Sequence, residues 1–289
     1  MKKIAILYTC FNRKQKTLES LANVYNAIEE SNITSKISIY LTDDGSTDGT
    51  SDAVRNTFKD VIILEGSGSL FWAGGMRKSW NEALKEDFDA YLLLNDDTYV
   101  IPTLFKDLMQ MNTFCVEKYK QTGIYLGAVK DPKTQKRTYG GAVLTNKFLF
   151  KYRKLNPTGK IQECDLGNAN IMFVTKSVVD KIGILSESFV HGVADYDYTL
   201  TAVNKKLPVL LSATYLGECE NDHGEKYGNF TNKSYKERKA LLLNPVGLDF
   251  KSNMALMKRH FPFRVPMVFL AGWLKVIFPK LYLIINEKR

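Results

Sequence analysis

The chain has 289 residues, 45% of them hydrophobic and 25% charged, with 40 Lys and Arg against 31 Asp and Glu for a formal net charge of +9. That length supports a sizeable core, and the even composition excludes a fibrous or disordered protein. The positive balance attracts anions such as nucleotides, nucleic acid or acidic lipid headgroups. No run of five or six basic residues occurs and the aromatics are dispersed, so nucleic acid is set aside as a partner. Cys10, Cys115, Cys164 and Cys219 lie far apart with no CxxC pair, which argues for free thiols in a reducing compartment rather than a zinc site or a disulfide framework. The apolar stretch Ile4 to Phe11 is too short for a signal peptide, so a cytoplasmic location is expected.

In chain order, Ile4 to Tyr8 reads as a strand, followed by the polar loop Thr9-Cys10-Phe11-Asn12-Arg13 and a helix from Gln15 to Glu30. Ile37 to Leu41 is a second strand. The turn Asp43-Asp44-Gly45-Ser46-Thr47-Asp48-Gly49 follows, with Asp48 placed to cap a helix running to Phe58. Val61 to Leu64 is a third strand, and a Gly-rich segment from Gly66 to Gly75 opens a helix over Met76 to Lys85. Tyr91 to Leu94 is a fourth, fully apolar strand. This βαβαβαβ alternation predicts a mostly parallel sheet with helices on both faces and ligands outside the carboxyl ends of its strands. Further on, Leu104 to Lys118 reads as a helix, and Gly123 to Val129, Tyr139 to Leu144 and Ile171 to Val174 read as strands of an acceptor-side half.

Three carboxylate clusters, Asp43-Asp44, Asp96-Asp97 and Asp195-Tyr196-Asp197, stand out. Singly, each reads as ordinary turn or cap chemistry. Together, and with Asn95-Asp96-Asp97-Thr98 ending a buried strand, they suggest a site where a hard cation neutralises a diphosphate.

The segments Thr9 to Arg13, Asp43 to Thr50 and Asn95 to Thr98 resemble, in order and spacing, the successive motifs of the family 2 inverting glycosyltransferases, over about Ile4 to His223. The resemblance implies the GT-A fold: a mostly parallel α/β sheet flanked by helices, with a catalytic domain over 1–225 and a C-terminal helical extension over 226–289. Residues 1–100 would form the donor half and 101–225 the acceptor half. It also implies transfer, with inversion, from a nucleotide diphosphate sugar to a saccharide or lipid-linked saccharide, in surface polysaccharide or glycolipid assembly. A divalent metal, Mg2+ or Mn2+, would assist.

Residue by residue, Thr9, Asn12, Arg13, Asp43 and Asp44 resemble donor contacts, with the Asp carboxylates accepting from base or ribose. Gly74 and Gly75 resemble a loop approaching the donor, where Arg77 would offset phosphate charge. Asp97 resembles a metal ligand, His223 a residue that binds metal or diphosphate, and Asp96 a contact to ribose or metal-bound water. Asp195 resembles the catalytic base, while Asp197 and His191 are assigned to the acceptor. Many relatives have Glu where this chain has Ala194, so one acceptor contact is missing. The Asp195-Tyr196-Asp197 version with His191 resembles rhamnosyl- and galactosyl-type members.

Two enzymatic alternatives fit the composition less well. An NAD-dependent oxidoreductase and a sugar nucleotidyltransferase both need a Gly-rich loop after the first strand, where Thr9 to Arg13 stand instead. A degenerate nucleotide- or carbohydrate-binding protein is the non-enzymatic alternative. In the tail, Val265 to Leu274 and Leu281 to Ile285 are apolar segments broken by Lys275, Pro279 and Lys280. They are too short to span a bilayer and leave two expectations open: an interfacial helix, with Trp273 and Tyr282 at the headgroups of the inner membrane face, or a packing or homodimer contact.

Overall fold

Strand β1 (Lys3–Cys10) is buried on both sides: Ile4, Ile6 and Tyr8 enter one apolar cluster, Ala5 and Leu7 another. This is the signature of a parallel strand between two helical layers. The computed structural model describes residues 1–31, 33–220 and 230–281. After β1 come α1 (Lys14–Glu30), β2 (Lys36–Asp43), α2 (Thr50–Thr57), β3 (Ile62–Glu65), α3 (Phe71–Ala83), β4 (Ala90–Leu94), β5 (Tyr99–Val100) and α4 (Leu104–Tyr119). The chain continues through β6 (Ile124–Lys130), β7 (Arg137–Tyr139), β8 (Gly141–Asn146), β9 (Lys151–Lys154), β10 (Gln162–Glu163), β11 (Leu166–Gly167) and β12 (Ile171–Thr175). It closes with α5 (Lys176–Ile182), α6 (Ala194–Asn204), β13 (Val209–Glu218), α7 (Tyr235–Leu243), α8 (Phe250–His260) and α9 (Val265–Ile277).

The main sheet has the order β10-β13-β6-β12-β4-β1-β2-β3, with β5 joined to β13 and β7 to β6. Strand β1 pairs in parallel with β2 and β4, and β2 with β3. Strand β12 is inserted antiparallel between β4 and β6, and β13 runs parallel to β6. The carboxyl ends of β1, β2 and β4 therefore share one edge, where Cys10 lies opposite Asp43. Because β12 is antiparallel, the residues before it, Asn168 to Asn170, reach that same edge, and Asn95 N donates to Asn170 O at 3.4 Å. A small second sheet, β11-β8-β9, covers the far side of the cleft.

Local deviations from the sequence reading have physical causes. The expected strand Tyr139 to Leu144 is two: Gly140, at φ 141°, turns the chain so that β7 pairs with β6 while β8 enters the second sheet. Such a φ favours glycine. Helix α3 begins at Phe71 rather than Met76, so Gly74 and Gly75 are helical and do not form a loop against a ligand. Close packing accounts for Gly75: a Cβ there would lie 2.0 Å from Thr9 Oγ1. At the start of α2 the cap position belongs to Gly49, while Asp48 Oδ1 accepts from Thr50 N at 3.1 Å and Oδ2 from Lys14 N at 3.0 Å. One carboxylate thus closes the starts of two helices, and the Thr50 hydroxyl chiefly holds its pKa below the ordinary 3.8.

All four cysteines are buried and free. Helices α7, α8 and α9 pack on one another, and α8 packs on α6. Among the described residues no helix is long and apolar enough to cross a membrane. His223, and the tail from Tyr282 onward, lie outside the described residues.

Candidate active site

The shared sheet edge opens into a cavity of about 790 Å³, lined on one wall by Thr9, Arg13, Asp44, Asp96 and Asp97 and on the other by Asn168, His191, Asp195 and Tyr196. The first wall is built by loops that fasten one another. Asn12, left-handed at φ 50°, as Asn tolerates, accepts from Thr47 N through Oδ1 at 2.7 Å, and its own N–H donates to Ser46 Oγ at 2.8 Å. Asp43 accepts from Ser46 N at 2.8 Å and from the Ser51 hydroxyl. Both side chains are thereby spent on the turn, and neither lines the cavity. Asp44 does line it, held by Gly68 N at 2.8 Å and Phe71 N at 2.9 Å. The close approach of Gly66 permits this, since a Cβ there would lie 2.6 Å from Asp44 Oδ1.

Asp96 and Asp97 follow the buried strand β4 and are only 6% and 8% exposed. Arg13 lies across them, with Nη1 2.5 Å from Asp97 Oδ2 and 3.4 Å from Asp96 Oδ1. Cys219 Sγ, at 3.6 Å, donates to Asp97 Oδ1. Asp96 Oδ2 has no hydrogen-bond partner among the described residues. Burial pushes the Asp96 carboxyl up to about 7, with Arg13 opposing and the charge of Asp97 adding to the rise. A buried acid pair with an orphaned oxygen suits a hard cation. Among the described residues no group of three or more His, Cys, Asp or Glu gathers to complete a metal shell.

The opposite wall hangs on the start of α6. Val193, a β-branched residue at φ 55°, precedes Ala194 and Asp195, a strained conformation of the kind that clusters at working sites. Asp195 Oδ1 accepts from Tyr196 N at 2.8 Å, and Oδ2 accepts longer bonds from Asn168 Nδ2 at 3.3 Å and Ala169 N at 3.4 Å. Desolvation raises its pKa from 3.8 to about 6, against the partly compensating Tyr196, Asn168 and Ala169 hydrogen bonds. His191 lines the same wall, its ring edge-on to Phe71 at 6.4 Å.

Besides Asn12, Asp43, Gly74 and Gly75, two more expected site residues lie elsewhere. Arg77 donates through Nη1 to Ser186 O at 3.0 Å and Phe189 O at 2.7 Å; it clamps the loop before His191 and is absent from the cavity wall. Asp197, two residues along a helix from Asp195, points to the other face, where Arg259 Nε at 2.6 Å and His260 Nε2 at 2.7 Å meet its Oδ1. It is 2% exposed, so it fastens α6 to α8 rather than facing an acceptor. Conversely, Trp72, whose indole N–H donates to Asn95 Oδ1 at 2.8 Å, and Tyr139, Tyr152 and Asn170 line the cavity unanticipated. The run Asn168-Ala169-Asn170, polar residues directly before a fully apolar strand, was the available signal.

Comparison with known proteins agrees with this geometry. No curated protein matches the chain in sequence. In structure it is similar to the mannosyltransferase PcManGT from Pyrobaculum calidifontis in complex with GDP-Man and Mn2+, with a TM-score of 0.55 at 12% identity over 95% of this chain and 70% of that one. It is also similar to TarS of S. aureus, with a TM-score of 0.50 at 15% identity over 96% of this chain and 48% of that one. Both likenesses are of fold. The family model for glycosyl transferase family 2 matches residues 5–169, the span that carries the loops after β1 and β2, both acids after β4 and the Asn168-Ala169 support of Asp195. The chain belongs to glycosyl transferase family 2.

Proposed function

We propose that the protein transfers a sugar, with inversion, from a nucleoside diphosphate sugar to an acceptor hydroxyl, in cell-surface polysaccharide or glycolipid assembly. The observation that carries this reading is the facing of two unlike acid groups across one cavity: Asp96 and Asp97 at the end of β4, and Asp195, with a pKa near 6, at the start of α6. Residues 1–100 form the donor side in this reading and residues 101–225 the acceptor side.

Thr9, Arg13 and Asp44 bind the nucleotide, with the Asp44 carboxylate oriented by two backbone N–H groups toward donors on base or ribose. Asp96 and Asp97 would hold a divalent ion, Mg2+ or Mn2+, through the orphaned Asp96 Oδ2 and the Asp97 carboxylate; bound there, it supplies charge neutralisation to the departing diphosphate. Asp195 accepts the proton of the acceptor hydroxyl as that oxygen bonds to the anomeric carbon. The bond from that carbon to the diphosphate oxygen breaks on the opposite face, and nucleoside diphosphate leaves. Asn168 and the Ala169 N–H fix the carboxylate for that role, and His191 beside it contributes to the acceptor wall. The small second sheet and Tyr152 shape the acceptor end.

The experiment is a nucleotide-sugar panel with and without manganese, read as release of nucleoside diphosphate and by the anomeric configuration of the product. GDP-mannose joins rhamnosyl and galactosyl donors in it. Release that is lost in Asp195→Asn and a product of inverted configuration are expected. Retention of configuration, or no release with any donor, overturns the proposal.

A further inference from the structure

The net charge of this protein is not spread over it. Residues 1–229 contain 28 Lys and Arg and 28 Asp and Glu and are neutral; residues 230–289 contain 12 and 3, so the whole +9 sits in the last 60 residues. Of the two acids between 230 and 281, Asp249 is buried and Glu237 is engaged in the capping box at the start of α7. The lysines Lys236, Lys239, Lys251, Lys258 and Lys280 are exposed.

The same extension carries the large exposed apolar side chains that a folded core would bury. Along α9, Met267, Leu270 and Ile277 are 46%, 67% and 49% exposed. Their spacing of three and seven puts them on one helix face. At the start of that helix Phe263 stacks on Phe148 of the β8–β9 turn, with ring centroids 4.7 Å apart and both rings more than half exposed. Arg264 Nη1 locks the two segments together by donating to Phe148 O at 3.1 Å.

We propose that this face is the docking surface for an anionic lipid bilayer, on which the protein lies peripherally. The apolar side chains enter the acyl boundary while exposed lysines of the same extension meet anionic headgroups, the combination by which interfacial helices bind. Helix α9 has 13 residues, about 20 Å at 1.5 Å per residue, which suits lying in the interface and not crossing it. A second copy of the chain fits this surface poorly, because it would bring together two extensions that both carry a large excess of positive charge. Tyr152, in the strand that follows the turn of Phe148, and Val246, in the extension, also line the cavity. The surface stands on charge and exposure and does not depend on the reaction assigned to the cavity.

Flotation of the full chain with vesicles tests this. With phosphatidylcholine vesicles containing phosphatidylglycerol, the protein should float about tenfold more than with pure phosphatidylcholine, and raised salt should return it to solution. Met267→Glu with Leu270→Glu and Ile277→Glu, all at exposed positions, should abolish flotation while leaving the circular dichroism and donor hydrolysis unchanged. Lys236→Glu with Lys239→Glu and Lys280→Glu should remove the preference for anionic vesicles. A wild-type chain that never floats, or floats equally with both vesicle types, overturns the proposal. So does a dimer in sedimentation that the apolar-to-Glu variant converts to a monomer without any vesicle binding.

Discussion

Asp195 should give the transfer reaction an acid limb near pH 6, and the same group should make the enzyme less stable for having it. Its carboxyl is raised from 3.8 to about 6, first by desolvation. With saturating donor and cation, kcat should rise about tenfold per pH unit below 6 and flatten above it, for an overall change of about tenfold between pH 5 and 7. A carboxylate at the ordinary 3.8 would change by less than about a tenth over that range. The stability effect has the opposite sign. Because the folded state keeps this proton to a higher pH than the unfolded chain, stability falls as pH rises from 3.8 to about 6. Two pH units at 1.36 kcal/mol each amount to about 3 kcal/mol at neutral pH. Asp195→Asn removes that cost but loses about 1 kcal/mol, since one amide cannot accept from both Tyr196 N and the Asn168–Ala169 pair. The variant should therefore be about 2 kcal/mol more stable at pH 7, show no gain at pH 4, and transfer sugar two to four orders of magnitude more slowly. Initial rates across pH and denaturant titrations at the two pH values are the assays. A flat profile between pH 5 and 7, or an Asn variant that is less stable at pH 7, refutes the reasoning.

Three other outcomes are expected. Chelation should abolish turnover, and Asp97→Asn should weaken manganese activation at least about tenfold; full activity of this variant in chelator contradicts the cation assignment. Gly75→Ala places a methyl 2.0 Å from Thr9 Oγ1, so α3 or Thr9 must move, and calorimetry should show loss of donor affinity with destabilisation by about 1–3 kcal/mol. Asp249 accepts from Gly192 N at 2.8 Å and caps α8 through Ser252 N at 3.2 Å, itself at φ 40°. Asp249→Ala should lower kcat more than it raises KM by loosening the His191–Asp195 loop, and Asp249→Asn, which keeps an acceptor and tolerates a left-handed backbone, should recover most of it.

The donor side was legible because its order is local. Each apolar strand ends in its own polar loop, the pairing of β1 with β2 and β4 follows from the alternation, and Asp44, Asp96 and Asp97 sit where such strands must release the chain. What failed was the direction of individual side chains. Asp43 and Asp44 are adjacent residues of one type, yet one faces its own turn and the other the cavity. Nothing short of the backbone path around Gly66 and Gly68 separates them. Arg77 was assigned by nearness to a Gly-rich segment, and the helix that Gly74 and Gly75 belong to carries it to the loop at Ser186 to Phe189 instead. The acceptor wall was the least legible, since it assembles Asn168, Tyr139, Tyr152 and Val246 from short strands and turns that have no periodicity of their own.

Asp195 and Asp197 show how one helix start divides its acids. Both lie in the first turn of α6, where the helix dipole favours negative charge, and in sequence they are interchangeable candidates for the base. Two residues along a helix is a rotation of about 200°, so they face opposite sides. Asp197 meets Arg259 and His260 within 2.7 Å, partners that fix it on the face turned away from the cavity. Among the described residues, the hydrogen bonds to Asp195 come from neutral N–H donors, which leaves its carboxylate oriented while burial raises its basicity. The clasp on Asp197 explains why the base can be under-compensated: α8 holds the helix start in place through Arg259, His260 and Asp249, so Asp195 need not contribute to stability. Asp197→Asn should accordingly destabilise the protein by about 1–3 kcal/mol, less than the loss of a fully buried ion pair because Arg259 is 42% exposed. In denaturant titrations the loss should be shared by Arg259→Met, with a double variant less than additive. A surviving fold with unchanged stability would mean that α8 does not brace the helix that carries the base.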